Sequence, residues 1–141
     1  MNQGIIEPLS KILDSRDTTV GGGGASALSG AMAAGMIGMV ARLSAKKPVN
    51  LTPEQYDSIA DECDELCKKL TQGSIDDMHA YTQIVEAFKL PKGTEEEKAA
   101  RSAAVQAAAK KAAEVPRDNA RLNARVHELG VTLKGNSNPA C

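Results

Sequence analysis

Asp77 is the side chain best placed by pattern to move a proton. At helical spacing it heads a stripe that continues through Tyr81, Ile84 and Phe88. A carboxylate at the head of an apolar stripe is expected to be partly desolvated. Desolvation favours the protonated form and suits the group to general acid–base work. The plainer reading is a helix-start carboxylate beside a dipole, the role expected of its neighbour Asp76. Arg101 is the second candidate. It aligns with Val105, Ala108 and Ala112 on an otherwise small apolar face, where a guanidinium needs a partner such as a carboxylate on a ligand or a neighbour. Against this stands a surface arginine whose stem alone is covered. The third feature is backbone: Gly21-Gly22-Gly23-Gly24 runs into a long uncharged segment. Glycines at a helix start leave its first N–H groups bare for an anion or a polar ring edge.

Other reactive types fit structural roles better. His79 is two residues from Asp77, on a different helical face, and reads as a surface or rim histidine. Cys63 and Cys67 sit four apart in a helical pattern and read as reduced core thiols. With Cys141 the count is odd, and neither His79 nor His127 has metal-ligand spacing. Met32, Met36 and Met39 are expected to fill the core. Lys110, Lys111, Arg117, Arg121 and Arg125 read as solvated faces. There is no nucleophile elbow, Walker A loop or GxGxxG after a strand. Any catalysis would therefore be acid–base work by a carboxylate.

The elements that must hold these groups are helices. The 141 residues suffice for one domain with a real core, and β-branched and aromatic runs are scarce. Ile5, Ile6, Leu9, Ile12 and Leu13 mark an opening amphipathic helix. A small-residue helix follows over Ala25–Ser44, expected to be the most buried, with Ala27, Gly30, Ala31, Ala34 and Gly38 facing other helices at close range. Thr52-Pro53-Glu54-Gln55 is a capping box with proline in the first turn, opening a helix that carries Ile59, Cys63, Leu66, Cys67 and Leu70. Gly73-Ser74 is a place to kink or restart it, since Ser74-Ile75-Asp76-Asp77 resembles another capping box. Leu90-Pro91-Lys92-Gly93 breaks the pattern, Thr94-Glu95-Glu96-Glu97 caps an Ala-rich helix to Glu114, and Pro116 is expected to open another. The fold class is all-α: a helical bundle around a central Ala/Gly-rich helix.

Composition narrows the partners. Net charge is −1, no basic tract exceeds a Lys pair, and the aromatics are two Tyr and one Phe, which argues against nucleic acid. The stretch Ala25–Ala41 is weakly apolar and, at about 17–18 residues, short for a span of roughly 20, so a bundle core is preferred over a membrane helix. No signal peptide is evident and reduced thiols fit a cytoplasmic setting. A chain poor in aromatics buries little area per residue, so a homodimer with its seam on the small-residue or Asp77 helix is expected.

In order along the chain, these segments resemble the cyclodeaminase/cyclohydrolase family. The glycine run and its Ala-rich helix are similar to the family's Pro-Gly-Gly-Gly-Ser-Ala opening. Asp77-Met78-His79-Ala80-Tyr81 resembles its Asp-x-x-Ala-aromatic segment. Lys89-Leu90-Pro91-Lys92-Gly93, with Arg101, resembles its Leu-Pro-Lys loop and the charged start of the next helix. Gln106, Val115-Pro116 and Gly135-Asn136 fall where the family pattern has them. Val20 stands where many members have Pro, and Gly24 where many have Ser. Family chains continue past the Gly-Asn loop into a Ser-Asp motif and further helices. Residues 1–141 are thus expected to be a single family domain lacking its C-terminal part.

The resemblance implies an all-helical homodimer acting on one-carbon groups carried by tetrahydrofolate, with its site near the subunit interface. The reaction would be hydrolysis of 5,10-methenyltetrahydrofolate to 10-formyltetrahydrofolate, or cyclodeamination of 5-formiminotetrahydrofolate with loss of ammonia. No permanently bound cofactor or metal is implied, and the folate is the substrate. Asp77 takes the catalytic role, and Gly22, Gly23, Gly24, Arg101 and Asn136 contact the substrate. The competing expectation is a non-catalytic helical assembly protein in which the small-residue helix is only a dimer seam.

Overall fold

The computed structural model describes residues 3–141, with side chains from residue 6 onward, so the side chain of Ile5 lies outside the described residues. Four helices carry the fold: α1 (Gln3–Leu13), α2 (Gly22–Ala45), α3 (Pro53–Lys89) and α4 (Glu95–Leu133). No strand occurs among the described residues, and the all-α reading holds. Helix α2 packs against α1, α3 and α4, while α3 and α4 run antiparallel across it. The core gathers Ala27, Ala31, Ala34 and Ala41 of α2 with Tyr56, Ile59, Cys63, Leu66 and Leu70 of α3 and Val126, Leu129 and Leu133 of α4.

Both capping boxes form. Thr52 Oγ1 accepts from Gln55 N and Gln55 Oε1 accepts from Thr52 N, and Thr94 and Glu97 repeat the exchange at α4. Two expected breaks do not occur. Helix α3 runs unbroken through Gly73-Ser74, so Asp76 and Asp77 lie mid-helix, and Asp76 Oδ1 accepts from Gln72 Nε2 at 2.9 Å instead of capping. The glycine is there for a neighbour. A Cβ at Gly73 would lie 2.8 Å from Cγ of the buried Asn119, whose Nδ2 donates to Gly73 O at 3.1 Å. Helix α4 likewise runs through Pro116 without a new start. The proline costs the bond to the Ala112 carbonyl, but the Asn119–Gly73 contact one turn later holds this stretch of α4 against α3.

The small-residue expectation is met on one side of α2. Ala27, Ala31, Ala34 and Gly38 are buried, a Cβ at Gly38 would stand 3.2 Å from Cys63 Cβ, and one at Gly30 2.8 Å from Asn123 Cγ. The methionine expectation is not met: Met32, Met36 and Met39 are exposed on the opposite side. The segment is apolar all round, so its periodicity does not say which side finds neighbours. By length and composition α2 could cross a membrane, with 39% of its most apolar window buried in the bundle.

Candidate functional site

Helix α2 starts inside the glycine run rather than after it. Gly21 is the N-cap, with extended backbone and no side chain to bond the first turn. That acceptor comes from another helix: Gly24 N donates to Asp77 Oδ2 at 2.8 Å. Asp77 is thus not at the start of its own helix but at the positive end of α2, where a carboxylate is favoured by the exposed N–H groups and the dipole.

The three glycines of this turn have different reasons. A Cβ at Gly23 would overlap the Asp77 carboxylate, 2.8 Å from its Cγ. One at Gly24 would meet Val20 Cγ1 at 2.8 Å and Ser74 Oγ at 3.3 Å. One at Gly22 would meet nothing within 4 Å, so its backbone faces open space. Ser74, one turn before Asp77, is fully buried, and its hydroxyl has no hydrogen-bond partner among the described residues. The stretch leading into the glycines is shaped by Asp17, which accepts from Thr19 N at 2.7 Å and from the Thr19 hydroxyl. Those two bonds hold the Asp17 carboxyl below its ordinary range.

The half-buried Asp77 borders a pocket of about 190 Å³ that it lines with Thr18, Gly21, Tyr81, Ile84 and Ala112. Tyr81 and Ile84 are the stripe expected beyond Asp77, and Ala112 closes the pocket from α4. The same α3–α4 boundary reaches Arg101 further on. Its Nε and Nη2 donate to Phe88 O at 3.2 and 3.1 Å, and its guanidinium lies 5.4 Å from the centre of the Phe88 ring. The partner that Arg101 needed is therefore a carbonyl at the negative end of α3 together with an aromatic face. Around it lies a cavity of about 380 Å³ lined by Phe88, Lys92, Lys98, Ser102, Val105 and Gln106. Asp77 and Phe88 are eleven residues apart on one helix, about 16 Å at its rise per residue. The boundary thus carries a carboxylate at one end and a cationic cluster at the other.

Asn136 lies elsewhere. Its carbonyl accepts from the Tyr56 hydroxyl, its Oδ1 accepts from Asn50 Nδ2 at 3.0 Å, and its Nδ2 donates to Thr132 O at 2.8 Å. Tyr56 is in the first turn of α3, about 30 Å along that helix from Asp77. Within one chain Asn136 fastens the end of α4 to the start of α3, helped by Ser44, whose Oγ accepts from Asn138 N at 2.9 Å. Ser74 stands in the sequence only as the cap of an expected helix restart, and Tyr56 and Ser44 do not stand out there. Nothing local marks a tyrosine or serine whose partner is tens of residues away. His79 is exposed and does not line the Asp77 pocket. Cys63 is buried, which pushes its thiol up to about 11, and all three cysteines are free.

Fold and site together define an all-helical protein in which a glycine-opened helix receives a carboxylate from a neighbouring helix beside a pocket. The profile of the formiminotransferase-cyclodeaminase family matches residues 5–141, and the chain belongs to that family. It is also similar to a methenyltetrahydrofolate cyclohydrolase of Methylorubrum extorquens, 39% identical over 136 residues, which cover 94% of this chain and 65% of that protein. The chain thus spans about two thirds of the length of the curated relative it matches.

Proposed function

We propose that this chain carries the proton-transfer site of a tetrahydrofolate-dependent one-carbon enzyme, and that its reaction is hydrolysis of 5,10-methenyltetrahydrofolate to 10-formyltetrahydrofolate. The observation that carries this is the Asp77 carboxylate, fixed by Gly24 N–H at the wall of a pocket. The family match and the name of the similar bacterial protein supply the substrate class.

The chemistry suits one carboxylate. The methenyl carbon bridges two nitrogens and shares their positive charge, so the substrate is drawn to an anion. Water adds to that carbon as Asp77 takes a proton from it. The resulting carbinolamine opens by breaking the bond to N5, which receives a proton back through Asp77, and the formyl group stays on N10. The net change is one water consumed and one proton released. Free N–H groups at Gly22 and Gly23 suit a polar ring edge. Arg101 with Lys92 and Lys98 suits the carboxylate tail at the far end of the groove. This reading rests on Asp77, Gly22, Gly23, Gly24 and Arg101 and leaves Asn136 to its loop. We further propose that the chain works as a homodimer in a reducing cytoplasm, with folate as substrate and no resident cofactor.

The test is loss of the methenyl chromophore, with 10-formyltetrahydrofolate identified chromatographically. Asp77→Asn keeps an oxygen for Gly24 N–H but removes the titratable group. Turnover should fall about 10²–10⁴-fold while folate still binds. An Asp77→Asn protein with near-normal turnover would falsify the assignment. The second reading, suggested by the family's name, is cyclodeamination: ammonia released from 5-formiminotetrahydrofolate, with methenyltetrahydrofolate left unhydrolysed, would select it.

A further inference from the structure

A hydroxyl inside a helix commonly bends back to a carbonyl one turn earlier. Ser29, Thr71, Thr82 and Thr132 do so, donating to Ala25 O, Cys67 O, Met78 O and Glu128 O at 2.8–3.0 Å. None of these four is buried, so water could serve each of them. Ser74 is the reverse case. It is fully buried, yet its hydroxyl has no hydrogen-bond partner among the described residues. A buried hydroxyl left unpaired costs stability. Alanine would fill the same place with higher helix propensity and no polar atom to satisfy. The close approach of α2 explains a small residue at position 74 but not the hydroxyl.

Ser74 faces the residue that holds Asp77. A Cβ at Gly24 would lie 3.3 Å from Ser74 Oγ, and Gly24 N donates to Asp77 Oδ2 at 2.8 Å. Ser74 and Asp77 are three residues apart on α3 and so neighbours on one helical face. Gly24 thus stands against two oxygen-bearing side chains of α3, one bonded to it and one idle. The reaction proposed above asks Asp77 to serve two atoms, the water at the bridging carbon and then N5. A carboxyl group that moves between them must loosen its bond to Gly24 N–H. Gly24 is buried, and a buried N–H needs an acceptor at every stage.

We infer that Ser74 is a positioning residue for Asp77: its hydroxyl oxygen accepts the Gly24 N–H while the carboxyl group turns to the substrate, and releases it when the carboxylate returns. The hydroxyl is free to turn among its staggered positions, since no resting bond holds it. No covalent bond changes at Ser74, and its own proton stays in place. The inference rests on the hydrolysis proposed above and adds the residue that lets one carboxylate act twice.

The test is Ser74→Ala, with turnover of methenyltetrahydrofolate and thermal unfolding measured beside the parent and Asp77→Asn. No resting bond is lost, so the melting temperature should stay the same or rise. The kcat should fall about 3–10-fold, the worth of one hydrogen bond, with KM unchanged. Ser74→Cys, close in size but a poor acceptor, should follow it. Thr82→Val, which removes a back-bonded hydroxyl from an exposed position of the same helix, should leave kcat unchanged. An unchanged kcat in Ser74→Ala overturns the assignment. So does a fall in kcat matched by a lower melting temperature, or a rise in KM alone, which would make the hydroxyl a packing or a substrate contact. A parent that leaves methenyltetrahydrofolate intact overturns the folate reading and this assignment with it. An active parent slowed by Asp77→Asn but not by Ser74→Ala keeps that reading and overturns the role of Ser74 alone.

Discussion

Gly23→Ala isolates the placement of Asp77 from its chemistry. The backbone at Gly23 does not have positive φ, so alanine is allowed there and the only obstacle is what its Cβ meets. That is the Asp77 carboxylate, with Cγ at 2.8 Å and Oδ2 at 2.9 Å, where ordinary contact begins near 3.4 Å. The carboxylate must retreat by about 0.5–1 Å, and a misplacement of about 1 Å in a reacting group costs on the order of 10²-fold in rate. The shift also strains the 2.8 Å bond from Gly24 N. Losing a hydrogen bond to a charged group costs about 1.5–3 kcal/mol, and replacing a helical glycine by alanine returns up to about 1 kcal/mol. The net loss is about 0.5–2 kcal/mol, roughly 2–8 °C in melting temperature for a domain of this size. The assay pairs steady-state turnover of methenyltetrahydrofolate with thermal unfolding followed by circular dichroism. Gly22→Ala is the control, because its Cβ meets nothing within 4 Å. It should be near neutral in melting temperature. If Gly23→Ala and Gly22→Ala behave alike, the tight seat of Asp77 against α2 is not what sets its activity.

Two other perturbations probe the remaining parts. Arg101→Ala should raise KM for the folate about 10–100-fold with kcat little changed, because it removes a charge-assisted contact remote from the reacting carbon. A fall in kcat at constant KM would refute the tail-binding role. The Glu62–Arg125 pair joins α3 to α4 through two bonds of 2.6 and 2.9 Å. The Arg125 guanidinium holds the Glu62 carboxyl below its ordinary range. A group depressed on folding contributes stability above its unfolded pKa, here the ordinary glutamate range near pH 4.5. It loses that contribution as pH falls through the folded value. Both groups are largely solvated, so the effect is small. Glu62→Gln should flatten the acid limb of melting temperature against pH between about pH 5 and 3, and an unchanged limb would assign acid lability to other carboxylates.

What could be read from the sequence was what is local. The two capping boxes, the break at Leu90–Gly93 and the close packing at Gly30 and Gly38 follow from residue type and spacing, and all appear in the fold. Asp77 stands out in the sequence as a carboxylate heading an apolar stripe, and the fold places it beside a pocket. The misjudged points depend on distant partners. Gly73 and Pro116 are local breakers, but Asn119 bonds back to Gly73 and both helices continue. An apolar helix implies burial and so points Met32, Met36 and Met39 to the core, but which side is buried depends on where α3 and α4 lie. The site's main contact, Gly24 N–H to Asp77, joins residues 53 apart, so the glycine run suggested an open anion site when an internal carboxylate already occupies part of it.

The same device recurs along α2 and α3, and its repetition shows what sets the Asp77 instance apart. At Gly23, Gly30 and Gly73 the missing Cβ makes room for a polar side chain from another helix: Asp77, Asn123 and Asn119 respectively. The two asparagines use it for structure. Asn119 is buried and donates to Gly73 O, and Asn123 Nδ2 donates to Ser26 O and Oγ at 3.3 and 3.2 Å. An amide can neither give nor take a proton near neutral pH, so these contacts join helices without offering acid–base chemistry. Asp77 occupies the equivalent niche with a titratable group and borders a pocket. An ionised carboxylate could not be sunk between helices as Asn119 is without a large desolvation cost. Placed at the rim, against N–H groups at the start of α2, it keeps contact with solvent and with any ligand in the pocket. Chemistry is therefore possible where the acceptor that completes a helix start is also the one ionisable group among the three.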